Sequence, residues 1–300
     1  MKRLALAGLL AWLACVGAWA GGVSVTDDAG RVVALPHAAR RIVSLAPSLT
    51  ELLFAAGAGR RVVGVVRYSD YPPPARRLPR VGNYHALDLE AIAALRPDLI
   101  VAWRSGNPLA QVARLEALGF PVYFSEPRRL PDIPATLERL GRLAGSEQTA
   151  RRAAAAFRGK IAQLAATYAK RAPVRVFFEI WDTPLMTVNG RHIISAVLRL
   201  CGARNIFGDL SALAPTVSME AVLASNPDAI LMTGRRRRRA QWARFWRRWP
   251  QLTAVKENHL FFITADDIVR PGPRLAEGAA QVCHAVDAAR RGRAAENAGK

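Results

Sequence analysis

Cysteine is scarce in this chain of 300 residues: there are three, Cys15, Cys201 and Cys283. That excludes a small domain stapled by many disulfides and any cysteine-built zinc module. Catalytic signatures are missing too. There is no GxSxG elbow, no phosphate-cradling loop ending in Gly-Lys-Ser/Thr and no GxGxxG turn. His37, His85, His192, His259 and His284 fall in none of the HxH, HExxH or Cys-His spacings that build a metal centre. Ser44 and Ser48 have no identifiable base. The chain therefore reads as a binding protein and not an enzyme, with no metal site of its own. After the first twenty residues no apolar run is long enough to span a bilayer. Acidic residues are few: 23 Asp and Glu stand against 43 Lys and Arg, a formal charge of +20. The arginines are spread along the polar faces of Ala/Leu-rich segments such as RLEALG and LERLGRLAG. This reads as a solvated basic surface, with no nucleic acid as partner.

What is present fits a globular chain, 51% hydrophobic and 22% charged, long enough for two domains. Residues 1–20 read as a cleaved signal peptide. Lys2 and Arg3 open it, an apolar run follows, and Ala18-Trp19-Ala20 offers the cleavage site. A lipid anchor on Cys15 is the lesser reading, because Trp12 stands where such a signal carries Leu. Export means an oxidising compartment. Loss of Cys15 leaves Cys201 and Cys283, which allow one pairing. That disulfide would close a loop of roughly 80 residues, worth on the order of 4–5 kcal/mol in the chain-entropy model. The alternative is two buried free thiols.

Strand and helix patterns alternate, which implies parallel sheets covered on both faces. Residues 23–35 read as a hairpin turning at DDAGR. Strands are expected at 41–45, 62–66, 99–102 and 122–124, with helices at 50–56, 87–95 and 109–118. Ser48 and Glu51 have capping-box spacing, and Asp88 caps the next helix. Residues 146–171 hold no breaker but Gly159 and carry Phe157, Ile161, Leu164 and Tyr168 on one face. They predict a helix of about 25 residues, ~37 Å long. Alternation then resumes, with strands at 174–180, 229–232 and 260–264. Helices are expected at 192–200, at 219–224 behind Ser218, at 242–249 and at 274–288. The remaining tail is expected to fray.

One phrase is written twice. LEAIAALRPDLIVAW (89–103) and MEAVLASNPDAILMT (219–233) both run from Glu-Ala-aliphatic through Pro-Asp into a hydrophobic run. LLFAAGAGRRVVG at Leu52 is echoed more weakly by VLRLCGARNIFG at Val197. The repeat gives an α/β fold: two Rossmann-like lobes with mainly parallel sheets, joined by one long α-helix, with a ligand cleft between them. The expected division is a first lobe at 21–145, the linking helix at 146–172, a second lobe at 173–290 and a tail at 291–300.

In open parallel sheets, ligands sit beyond the carboxyl ends of the strands. The sequence puts Tyr68, Asp70 and Tyr71 at one such end, and Trp103 at another. Tyr84 and His85 precede the Asp88 cap. Trp181 and Asp182 follow the strand at 174–180, and Asp266, Asp267, Arg270 and Arg274 follow the last strand. So many aromatics suit a large, flat ligand with a polar periphery.

These segments resemble the periplasmic substrate-binding proteins of ABC importers, in the helix-linked class (class III) that serves cobalamin, haem and iron-siderophore uptake. RIVSLAPSLTELLFAAGAGRRVVGV, RYSDYPP, LDLEAIAALRPDLIVAWRSGN, VLRLCGARNIF, VSMEAVLASNPDAI and PGPR carry the likeness over nearly the whole chain after residue 20. YSDYPP, AWRSGN and the positions of Cys201 and Cys283 are most similar to the cobalamin-binding branch. The resemblance implies a monomeric periplasmic protein that hands a corrinoid to an inner-membrane ABC permease dimer, with cobalamin as cargo and not as cofactor. Ferric siderophore or haem is the alternative ligand. The resemblance also implies ligand contacts for Tyr68, Tyr84, His85, Trp103, Asp266 and Arg270. Tyr84 stands where the branch has Trp, and Ala214 replaces a second Trp, for which Trp181 is expected to compensate. Glu90 and Glu220 match the glutamates that dock onto permease arginines. The arginine run at 235–239 has no counterpart in the family pattern. It reads as a solvated loop or as a seat for an anionic ligand group.

Overall fold

The computed structural model describes residues 22–83, 85–234 and 236–298. The expected signal peptide, Tyr84 and Arg235 lie outside the described residues. The chain opens with an antiparallel hairpin, β1 (Val23–Thr26) and β2 (Val32–Leu35). Asp27 closes its turn by accepting the backbone N–H groups of Ala29 and Arg31, both at 2.9 Å. The first lobe continues as β3 (Ile42–Ser44), α1 (Pro47–Ala55), β4 (Val62–Val65), α2 (Leu89–Ala94), β5 (Leu99–Trp103), α3 (Leu109–Ala117) and β6 (Val122–Ser125). Helices α4 (Asp132–Leu143) and α5 (Glu147–Tyr168) follow. The second lobe comprises β7 (Val174–Glu179), a small hairpin of β8 (Trp181–Asp182) and β9 (Leu185–Met186), α6 (Ile193–Leu200), β10 (Ala203–Asn205), α7 (Met219–Ser225), β11 (Ala229–Gly234), α8 (Arg239–Trp246), α9 (Thr253–Lys256), β12 (Leu260–Thr264), α10 (Ala265–Ile268) and α11 (Leu275–Ala298).

Both four-stranded sheets are parallel throughout, in the orders β4-β3-β5-β6 and β10-β7-β11-β12. Each order is second, first, third, fourth. The crevice where strand order reverses therefore lies between β3 and β5 in one lobe and between β7 and β11 in the other.

The doubled phrase is now explained at the atomic level. Asp88 caps α2 by accepting from Ala91 N at 2.9 Å, and Ser218 caps α7 by accepting from Ala221 N at 3.2 Å. Each helix ends near a left-handed residue, Arg96 at φ 42° and Asn226 at φ 37°. A Pro-Asp pair follows. Asp98 accepts the backbone N–H of Arg40 and Arg41 at 2.7 and 2.9 Å, and Asp228 accepts that of Arg175 at 2.7 Å. In return, Arg41 donates to Leu95 O, and Arg175 donates to Ser225 O and Asn226 O. Each clasp ties a helix end to the start of the neighbouring strand. This satisfies orphan carbonyls that a short helix leaves at its terminus.

One buried cluster runs through both lobes. It passes from Leu49, Leu52 and Leu53 of α1 and Leu137 and Leu140 of α4, through Ala150, Ala154 and Phe157 of α5, to Val197 of α6 and Val282 of α11. Ile161, Leu164 and Tyr168 extend the α5 stripe half-buried. Cys201 and Cys283 form a disulfide, both fully buried, that ties the end of α6 to α11 within the second lobe.

Three local expectations change. Helix α4 (Asp132–Leu143) stands where no helix is expected. α11 runs on to Ala298, through much of the segment expected to fray. The capping box at Ser48 and Glu51 does not form. Pro47 supplies the first helical position, Ala46 is the N-cap without a side-chain bond, and Ser48 and Glu51 lie inside α1. Glu51 is thereby freed for a longer reach.

Candidate functional site: the interlobe cleft

In the first lobe, the loop beyond β4 presents Tyr68 at φ 66° with 60% of its surface exposed. A bulky residue in the left-handed region is an uncommon conformation that the surrounding structure must hold. His85 is exposed, its backbone N–H donated to Asn83 Oδ1 at 2.8 Å. Trp103, at the end of β5, is half-buried, with its ring packed over Gly106 so closely that any side chain there would collide with it. The crevice beside it is filled. Asn107 accepts from Trp103 N at 2.7 Å and donates to Leu45 O at 2.9 Å. Ser44, Thr50 and Ser69 form a buried hydroxyl chain with oxygens 2.9 and 3.1 Å apart. These bonds bury Ser44 and engage its hydroxyl.

A charge cluster crosses from lobe to lobe. Glu51 of α1, with 1% of its side chain exposed, accepts from Arg274 at 2.6 and 2.8 Å and from Arg270 at 3.0 Å. Arg270 also meets Asp70 at 3.3 Å and Asp266 at 3.0 Å, and Arg274 meets Asp267 at 3.2 Å. The Arg274 guanidinium lies 4.2 Å from the centre of the Tyr71 ring. These bonds to Glu51 raise the Arg274 pKa against the opposing effect of burial. Two residues expected at the cleft, Asp266 and Arg270, are thus brought together with Asp70 by one ion network. Half of each of the Asp70 and Asp266 side chains remains open to solvent.

In the second lobe, the β8–β9 hairpin holds Trp181 55% exposed, its ring N–H donated to Thr183 O at 2.8 Å. Two residues before the hairpin, the strand β7 ends in Glu179, which is 1% exposed. Its Oε2 accepts both indole N–H groups of Trp242 and Trp246, at 2.9 and 2.8 Å. Burial pushes its carboxyl up to about 7, and Asp182 adds to the rise. The two indole donors and Arg238 oppose it. The carboxyl lines a cavity of about 190 Å³ in the β7/β11 crevice, walled by Leu185, Met232, Trp242 and Phe245. At the mouth, Arg238 pairs with Asp182 at 2.7 Å. One arginine of the 235–239 run is therefore engaged with the cleft hairpin, while Arg237 and Arg239 are exposed.

Sequence reasoning missed Glu179, Trp242 and Trp246 as a unit. The signal was there in the i, i+4 spacing of the two tryptophans, but nothing in the pattern tied them to a strand end sixty residues earlier. Glu90 and Glu220 are both exposed, each the second residue of its helix, at equivalent positions in the two lobes. A backbone N–H in its own first turn, and then Ser218, hold the Glu220 carboxyl below its usual range. Among the described residues no cluster of His, Cys, Asp or Glu could hold a metal ion, and no helix is long and apolar enough to cross a membrane.

The sequence model of the periplasmic binding protein family matches residues 42–266. The vitamin B12-binding protein of Vibrio cholerae is 38% identical over 253 residues, which cover 84% of this chain and 91% of that protein. The vitamin B12-binding protein of Yersinia pestis is 37% identical over 82% of this chain and 86% of its own length. The crystal structure of the periplasmic vitamin B12-binding protein BtuF of Vibrio cholerae superposes with a TM-score of 0.79, covering 84% of this chain and 98% of that one. A periplasmic haem-binding protein of Roseiflexus shares the fold at a TM-score of 0.74 with 24% identity.

Proposed function

The chain belongs to the periplasmic binding protein family, and from that premise we propose that it captures a corrinoid, vitamin B12 or a close relative, in the cleft between its lobes. The observation that carries this reading is the kinship: 38% identity over 84% of the chain to proteins named for vitamin B12 binding. The chemistry of the cleft supports it. Tyr68, Trp103 and Trp181 offer ring faces at strand ends, suited to a broad macrocycle. Asp266, Arg270 and Asp70 offer polar groups for its periphery. Tyr84 and His85 are further ligand contacts in this reading.

The protein works in the periplasm after cleavage of residues 1–20, as a monomer, and delivers its cargo to a dimeric ABC permease. Glu90 and Glu220 supply one docking charge per lobe, so a two-lobed protein meets a two-fold partner. No bond is made or broken in this function. The residues hold, orient and release.

Calorimetric titration with cyanocobalamin at physiological salt tests the reading. Saturable 1:1 binding at micromolar affinity or tighter is expected. Absence of heat, together with binding of haem or a ferric siderophore, would overturn the ligand while leaving the fold intact.

A further inference from the structure

We propose that the cavity in the β7/β11 crevice of the second lobe is a subsite for one peripheral carboxamide of the corrinoid, whose N–H is donated to Glu179 Oε1. The inference rests on the corrinoid reading and adds to it a residue that selects among corrinoids.

The cavity occupies the point where strand order reverses, beyond the carboxyl ends of β7 and β11, where open parallel sheets bind their ligands. Both indole bonds go to Oε2, which fixes the carboxyl plane and leaves Oε1 with no hydrogen bond from the described residues. Oε1 is therefore free to accept from a group that enters the cavity. About 190 Å³ exceeds the ~30 Å³ share of a single water. Leu185, Met232, Trp242 and Phe245 give it an apolar side suited to a short methylene arm, and Glu179, Asp182, Thr183, Arg238 and Gln241 line the rest with polar groups suited to the amide at its end.

The mouth is built to yield. The Asp182–Arg238 pair that flanks it is a third to nearly half exposed on each side, and exposed pairs of this kind hold weakly. The charges facing Glu179 are Asp182 and Arg238. Corrinoids carry several primary amides on short arms, and hydrolysis of any one turns an N–H donor into an anion. An anion placed against ionised Glu179 is repelled.

The test is calorimetric affinity for cyanocobalamin and for each of its monocarboxylic acids, in which a single peripheral amide is hydrolysed. It compares the wild-type protein and Glu179→Gln at about pH 8.5, where Glu179 is ionised. The glutamine oxygen keeps both indole bonds and turns its NH₂ to the cavity. For one of the acids, the wild-type protein is expected to bind at least ~10-fold more weakly than it binds the amide. Glu179→Gln is expected to abolish or reverse that ratio. At about pH 5.5, protonation of Glu179 should shrink the wild-type discrimination to a few-fold. Ratios that are the same in both proteins for every acid, with cyanocobalamin bound normally, would overturn the subsite alone. Failure of the wild-type protein to bind cyanocobalamin would overturn the corrinoid reading and the subsite with it.

Discussion

The two lobes share a strand order and a helix–Pro-Asp–strand clasp, yet their crevices are finished in opposite ways. In the first lobe the reversal point is plugged by small polar groups that satisfy one another: Ser44 with Thr50, Thr50 with Ser69, and Asn107 with the backbone on either side. In the second, β7 ends in the buried carboxyl of Glu179. Two indoles hold one of its oxygens, and the other lines a cavity. The repeated topology creates two equivalent crevices. Whether a crevice becomes a closed core or an open pocket is decided by one side chain at the strand end and by what the following helix brings to it.

The comparison can be broken most strongly at the contact that joins the lobes. Glu51→Gln leaves Arg270 and Arg274 without their shared buried carboxylate. A loss of roughly 3–5 kcal/mol in urea unfolding is expected, together with a wider lobe separation in solution scattering. A change under ~1 kcal/mol would show that the remaining aspartates suffice.

Next in size is the pH response of the second lobe, where a buried group and a half-buried one oppose one another. Glu179 titrates near 7 in the folded chain against an ordinary 4.5, so the folded state holds the proton more tightly. The stability it confers is complete below about pH 4.5 and is lost as pH rises through about 7, roughly 3 kcal/mol in all. His192 caps α6 as a neutral acceptor from Ile194 N at 3.1 Å, and burial lowers its value to about 4 from 6.5. Its contribution is present above about pH 6.5 and is lost as pH falls through about 4. The two partly cancel in the wild-type chain. Glu179→Gln should therefore leave a stability that climbs between pH 4 and 6.5, and His192→Asn one that declines between pH 4.5 and 7. Unfolding curves across that range decide the matter, and parallel profiles for all three proteins would refute it.

The first-lobe plug should behave differently. Ser44→Ala or Thr50→Val removes one member of a neutral hydroxyl chain, at about 1–2 kcal/mol each, with no dependence on pH. A pH-dependent cost would mean that a charge, unseen in the hydroxyl chain, reaches the first crevice. The smallest effect on folding belongs to the exposed glutamates. Charge reversal at Glu90 or Glu220 should shift stability by less than ~0.5 kcal/mol and leave cyanocobalamin affinity unchanged, while the double variant loses affinity for the permease. Unchanged permease affinity would sink the docking assignment.

Much of this was legible in the chain itself. Alternating strands and helices, the caps at Asp88 and Ser218, the α5 stripe and the Cys201–Cys283 pairing follow from local pattern and from counting. Such features depend on residues near one another in sequence, or on there being one partner to choose. The two capping predictions show the limit. At Asp88 the cap forms because Asp88 is itself the extended residue just outside the helix, with its side chain turned to Ala91 N. At Ser48 it does not, because Pro47 has already begun the helix. Glu51 then turns to Arg270 and Arg274, more than two hundred residues away. No periodicity marks that contact.

What the sequence determined by itself was the architecture. Its periods, breakers and repeated phrase require two parallel α/β lobes and a long helix, because hydrophobic pattern and backbone sterics act over short range. What only the tertiary structure decided was the chemistry of the cleft. It made Glu51 the joint between the lobes, filled one crevice with hydroxyls, and set Glu179 between two indoles in the other. Burial and long-range pairing fix the charge and the partners of a side chain, and both exist only once the chain has folded.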